Sequence, residues 1–197
     1  MNRERLEQQL AFIKEIDKAK SIFRRNQLLD ASRYENDAEH SWHLAVMAIV
    51  LLEYADDPQV RLDRVIMMVL LHDLVEIGVG DAFIYDEETR AAQAEKERAA
   101  AERIFGMLPP DQGRPMQALW EEFEARETAD ARFALVLDRI HPFLHNASTQ
   151  GHAWRKHGVR RHQVEAVMRP IAEGSLALWE LVQELIEQSV RDGHLAP

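Results

Sequence analysis

The chain has 197 residues, with 24 Lys+Arg against 34 Asp+Glu, nine His and no Cys, for a formal net charge of −10. A chain without cysteine holds no disulfide scaffold, Cys-based zinc finger, iron–sulfur cluster or thiol nucleophile, so any metal must be held by His, Asp or Glu. The acidic balance argues against a nucleic-acid polymer as partner, because that binding rests on neutralised phosphates; a small phosphorylated substrate, met by local positive charge, stays open.

With 46% hydrophobic and 29% charged residues, the composition is that of one folded domain over 1–197. The N-terminal stretch places Leu6, Leu10, Ile13 and Ile16 at helical spacing and lacks the apolar core of a secretion signal. The apolar runs Leu44 to Leu52 and Val65 to Leu71 fall short of the roughly 20 residues of a membrane span, so a cytoplasmic protein with no membrane partner is expected. Asp37 caps a helix of about 38–53, and Pro58 marks the connection to a helix of about 63–77, which Gly78 and Gly80 end. Asp86 or Glu87 opens a long Ala- and Glu-rich helix to about Gly106, followed by a turn at Pro109, Pro110 and Gly113. Helices of about 115–126 and 130–145 follow, then a loop of about 146–158. The closing segment, about 159–191, breaks near Arg169 because of Pro170 and Gly174. No alternating strand pattern appears, and the predicted class is all-α.

Four residues break this pattern chemically. His72 and Asp73 lie inside the run VIMMVLLHDLVEI, Asp138 inside FALVLDRI, and His40 near the start of the helix carrying Leu44, Val46 and Met47. Ionised groups are rarely buried unless paired or bound to metal. Each has an ordinary explanation alone: His40 as a surface or satisfied core histidine, Asp138 as half of an ion pair with an arginine. Together they form a mixed nitrogen and oxygen set on three helices that suits one divalent ion, Mn or Co first, with Fe, Ni, Zn or Mg also compatible. Glu76 follows Asp73 and His72 by three and four residues, on their side of the helix. Asp81 follows in the glycine loop, where it can reach the same mouth.

At these residues the sequence resembles the HD-domain phosphohydrolases, over about Phe12 to Ile140. The matching pieces are RYENDAEHS around His40, HDLVE with Gly80 and Asp81, and Asp138, in the order H…HD…D. The likeness is to the small single-domain branch that includes 5'-deoxynucleotidases. It implies a helical HD fold, with His40, His72, Asp73 and Asp138 as ligands of one metal. Glu76 and Asp81 become the carboxylates at the catalytic water and the substrate. Arg25, with Arg24 as its competitor, becomes the phosphate-holding arginine. Where those nucleotidases carry a tryptophan after that arginine this chain has Asn26; Asn26 and Arg33 are expected with the arginines among the substrate-binding residues, Arg33 and Glu39 also serving as supports around the site. His43 is read as a core or supporting residue. His141 and His145, on the face of Asp138, are surface or structural histidines by default and can otherwise reach the pocket. The C-terminal helices, about 159–192, are expected to pack on the core, and a homodimer is expected by resemblance alone. The implied reaction is hydrolysis of a phosphate monoester, first a 5'-(deoxy)nucleoside monophosphate. The alternatives are another phosphoester at the same centre, or a non-catalytic helical protein with a structural metal. Glu76 and Asp81 favour the enzyme, since a closed structural site fills its shell with protein ligands.

Overall fold

Helix α1 (Arg3–Ile16) starts at Asn2, whose side chain accepts a hydrogen bond from the Arg5 amide and so satisfies one of the first turn's orphan donors. The chain is described by a computed structural model over residues 2–80, 83–85 and 87–197, with the side chains of 87–92 outside the description. After a 3-10 turn (Asp17–Ser21), strand β1 (Phe23–Gln27) pairs antiparallel with β2 (Tyr34–Asn36), Phe23 opposite Asn36 and Gln27 opposite Tyr34. The all-α class holds, with this hairpin as an addition that helical periodicity did not show. The reason is visible in β1: the residues that alternate inward are Arg24 and Asn26, polar groups that no hydrophobic period registers.

Helix α2 (Asp37–Leu51) is capped by Asn36 rather than Asp37. The Asn36 side chain accepts from the Glu39 amide at 3.0 Å, and Glu39 accepts from the Asn36 amide at 3.3 Å, a reciprocal capping box. Helix α3 (Leu62–Leu71) does not run on to Ile77 as expected. It tightens into a 3-10 turn at His72–Val75 and resumes as the short α4 (Glu76–Val79), which Gly80 ends with φ at 80°. The His72 side chain engages the Val69 carbonyl at this tightening.

Helix α5 (Glu87–Phe105) leads to α6 (Pro110–Ala125), which begins five residues before the expected start. Pro110 sits in the first turn, where a missing N–H costs nothing. Helix α7 (Ala129–Ser148) overruns its expected end, and α8 (His152–His157) replaces much of the expected loop. Gly151 joins them in the left-handed region, and a Cβ there would lie 2.0 Å from the His194 carbonyl oxygen. The expected break near Arg169 is present as a 3-10 turn (Arg169–Glu173) between α9 (Arg161–Met168) and α10 (Leu176–Arg191).

Helix α7 is buried on nearly every side. Its Phe133, Leu137, Ile140 and Phe143 join Leu44, Met68, Trp154 and Ile186 in the main core. A second cluster of Phe12, Ile104, Phe105 and Trp120 ties α1, α5 and α6 together. Because α7 is surrounded, its buried polar residues, among them His141, His145 and Asn146, must be satisfied by neighbouring elements. The architecture is all-α apart from the hairpin. Among the described residues no helix is long and apolar enough to cross a membrane.

Candidate metal centre

Helix α2, the tightened end of α3, and α7 deliver His40, His72 with Asp73, and Asp138 to one point. His40 Nε2 lies 3.2 Å from Asp138 Oδ1 and 3.7 Å from Asp73 Oδ2. His72 Nε2 lies 3.1 Å from Asp73 Oδ1 and 3.5 Å from Asp138 Oδ1. Ligands about 2.1 Å from a cation stand roughly 3.0 to 3.5 Å apart in octahedral to tetrahedral shells. The four side chains therefore fit a divalent ion with little movement. His72 Nδ1–H donates to the Val69 carbonyl at 3.0 Å, which fixes the tautomer whose Nε2 lone pair faces the site.

The charges around this point are unequal. Burial disfavours the charged form of His72, but Asp73 and Asp138 outweigh it and push its pKa up to about 10. Burial, helped by the charge of Arg24, pulls His40 down to about 4. Burial alone would raise Asp138, yet hydrogen bonding to His40 and His72 holds it well below the ordinary carboxylate range. Without metal, the centre at neutral pH thus carries a proton on His72 that an incoming cation must displace. Metal affinity is expected to rise with pH between 6 and 9, approaching about tenfold per pH unit, with about one proton released per ion bound. Calorimetric titration in buffers of differing ionisation enthalpy checks this, and an affinity independent of pH would contradict it.

Beside the centre is a cavity of about 490 Å³, whose lining includes Arg24, Arg25, Asn26, His72, Glu76 and Asp138. The two adjacent arginines have different surroundings. Arg24 Nη1 donates to Asp73 Oδ2 at 2.7 Å and lies 3.7 Å from Asp37 Oδ1, so it braces the Asp73 carboxylate. Arg25, the next residue along the strand, is exposed and lines the cavity. Asn26 is buried, and its side-chain oxygen accepts from Asn146 Nδ2 at 3.3 Å. Glu76 offers a carboxylate oxygen within 4.8 Å of those of Asp73 and Asp37.

Arg33 differs from the expectation that it meets substrate. Its guanidinium donates to both Glu39 oxygens, at 2.8 and 2.6 Å, clamping β2 to the start of α2, and it is not among the cavity's lining residues. Asp81 lies outside the described residues. His141 and His145 are neither on the surface nor in the cavity lining; both are buried beside His40 and His43. Sequence reasoning missed Glu124 and Arg126 at the end of α6, which line the same cavity. They lie in the polar stretch EEFEARET, where nothing in spacing or hydropathy sets them apart.

The family model described as HD domain matches residues 16–179. A predicted metal-dependent phosphohydrolase from Magnetospirillum magnetotacticum is 53% identical, with TM-score 0.94 over 98% of this chain and 97% of that one. An HD-domain phosphohydrolase from Listeria innocua, 17% identical, has TM-score 0.61 over 92% of this chain and 83% of that one, a likeness of fold alone. Among curated relatives, the human 5'-deoxynucleotidase HDDC2 is 31% identical over 115 residues, 58% of this chain and 54% of the relative. The Xenopus laevis protein of the same name is 31% identical over 136 residues, 68% of this chain and 66% of the relative. The matched segment thus spans between about half and two thirds of the length of these relatives.

Proposed function

Because the chain belongs to the HD-domain family, we propose that it is a metal-dependent phosphohydrolase acting on phosphate monoesters, with 5'-nucleoside monophosphates as the substrate class. The observation that carries this reading is that His72, Asp73 and Asp138 open directly onto a cavity that also holds Glu76 and Arg25. A metal serving only as a clamp needs neither the cavity nor the extra carboxylate. A volume of about 490 Å³ is in the range of small-molecule sites, and the curated relatives support the nucleotide class by their names.

A divalent cation held by His40, His72, Asp73 and Asp138 would supply Lewis acidity, polarising a phosphoryl oxygen and making nearby water more acidic. Glu76 orients the attacking water and takes its proton as the new oxygen–phosphorus bond forms. The ester oxygen leaves as the old bond breaks and takes up a proton, from Glu76 or from solvent. Arg25 offers its guanidinium fork to the phosphoryl oxygens, whose charge it balances. Arg24, bonded to Asp73, holds that carboxylate in place.

Phosphate release tests this reading. Metal-stripped protein is resupplied separately with Mn, Co, Mg or Zn and assayed against deoxyribo- and ribonucleoside 5'-monophosphates and non-nucleotide phosphates. The expected result is release that requires added metal and is confined to 5'-monophosphates. Release only from non-nucleotide phosphates would remove the nucleotide assignment, and no release from a metal-loaded protein would remove the monoesterase and leave another phosphoester or a structural metal.

A further inference from the structure

Beyond the Nδ1 edge of His40, which meets His141 and Glu35, lies a group of four side chains that the proposed reaction does not use: Glu35 of β2, His43 of α2, and His141 and His145 of α7. Glu35 is 1% exposed, His141 1% and His145 4%. One ligand-type atom from each lies within 4.8 Å of the others, which is the composition of a second metal site. Counting protons leads elsewhere.

His40 Nδ1 and His141 Nδ1 face each other at 3.0 Å, so one carries a hydrogen and the other accepts it. When a cation takes the lone pair of His40 Nε2 in place of the proton that Nε2 shares with Asp138, the His40 proton must sit on Nδ1 and point at His141. His141, accepting at Nδ1, then carries its own proton on Nε2. That atom faces His43 Nδ1 at 2.9 Å and Glu35 Oε1 at 3.6 Å, two acceptors. A cation on His141 Nε2 would need that proton gone, which would leave two N–H groups face to face or remove a proton from the pair altogether. His145 completes the arrangement: its Nδ1–H donates to the Gln27 carbonyl at 3.0 Å, and its ring packs on His141 with centroids 4.3 Å apart.

We infer that His141 is a positioning residue for the metal centre: its Nδ1 lone pair fixes the tautomer and orientation of His40, and Glu35 with His43 fixes its own. The inference rests on the four-residue centre binding metal and not on which ester is cleaved, so its test reads metal affinity rather than phosphate release.

Two variants separate this role from packing. His141→Asn keeps an acceptor the same number of bonds from Cβ as Nδ1, whereas His141→Leu fills the space without one. Competition with a chelator is expected to show metal affinity lowered about 10- to 100-fold in His141→Leu and within about threefold of the original in His141→Asn. Nitrogen-15 NMR of the metal-loaded unaltered protein, which needs no variant to fold, is expected to show His40 protonated at Nδ1 and His141 at Nε2. Unchanged affinity in a folded His141→Leu, or His141 protonated at Nδ1, would overturn the inference. So would two metal equivalents per chain, the second lost in His145→Ala.

Discussion

Asp73→Ala is expected to lose metal and turnover together. The Asp73 carboxylate joins three other residues of the centre: one oxygen is 3.1 Å from His72 Nε2, and the other accepts from Arg24 at 2.7 Å and lies 3.7 Å from His40 Nε2. Its removal takes away a proposed ligand, leaves the nearly buried Arg24 beside the site without its nearest counter-charge, and adds positive repulsion toward an incoming cation. Residues that merely support a ligand cost about 10- to 100-fold in metal affinity when removed, so loss of a ligand is expected to exceed about 100-fold. Metal content after dialysis, measured with phosphate release on the same sample, checks it. A variant that still carries one equivalent of metal would take Asp73 out of the ligand set.

Glu76→Gln is expected to do the opposite on one axis. The amide keeps the volume and lines the same cavity, but it cannot accept the proton of the attacking water. Metal content should stay at one equivalent while kcat falls by about 10²- to 10⁴-fold, the usual contribution of a positioned general base. Steady-state kinetics with metal analysis distinguishes three outcomes. Loss of metal would make Glu76 a ligand, and an unchanged rate would assign the proton to another group. A lowered kcat with metal retained is the predicted result.

The centre was legible in the sequence because burying charge is costly enough to be conspicuous. His72 and Asp73 interrupt an apolar helix, and Asp138 interrupts another, so each demands a partner that hydropathy can flag before its position in space is known. The hairpin was illegible for the complementary reason. Its inward residues, Arg24 and Asn26, are polar, so the alternation that marks a strand is absent from the letters although present in the burial. The tightened turn at His72–Val75 escaped notice as well, since α-helical and 3-10 segments share the same apolar spacing over four residues. His141 and His145 could be placed on the face of Asp138 from helical geometry alone. Their company could not, because Glu35 and His43 reach them from separate elements about 100 residues away in the chain. Glu124 and Arg126 were hidden by ordinary surroundings; a charged residue in a polar stretch carries no signal of the cavity it borders.

A single ion is expected between α2, the tightened end of α3, and α7, and anomalous diffraction from a crystal of the metal-loaded protein locates it directly. The predicted result is one strong peak about 2.0 to 2.3 Å from His40 Nε2, His72 Nε2 and carboxylate oxygens of Asp73 and Asp138, with none among Glu35, His43, His141 and His145. An empty centre, or a peak in the histidine cluster instead, would contradict it.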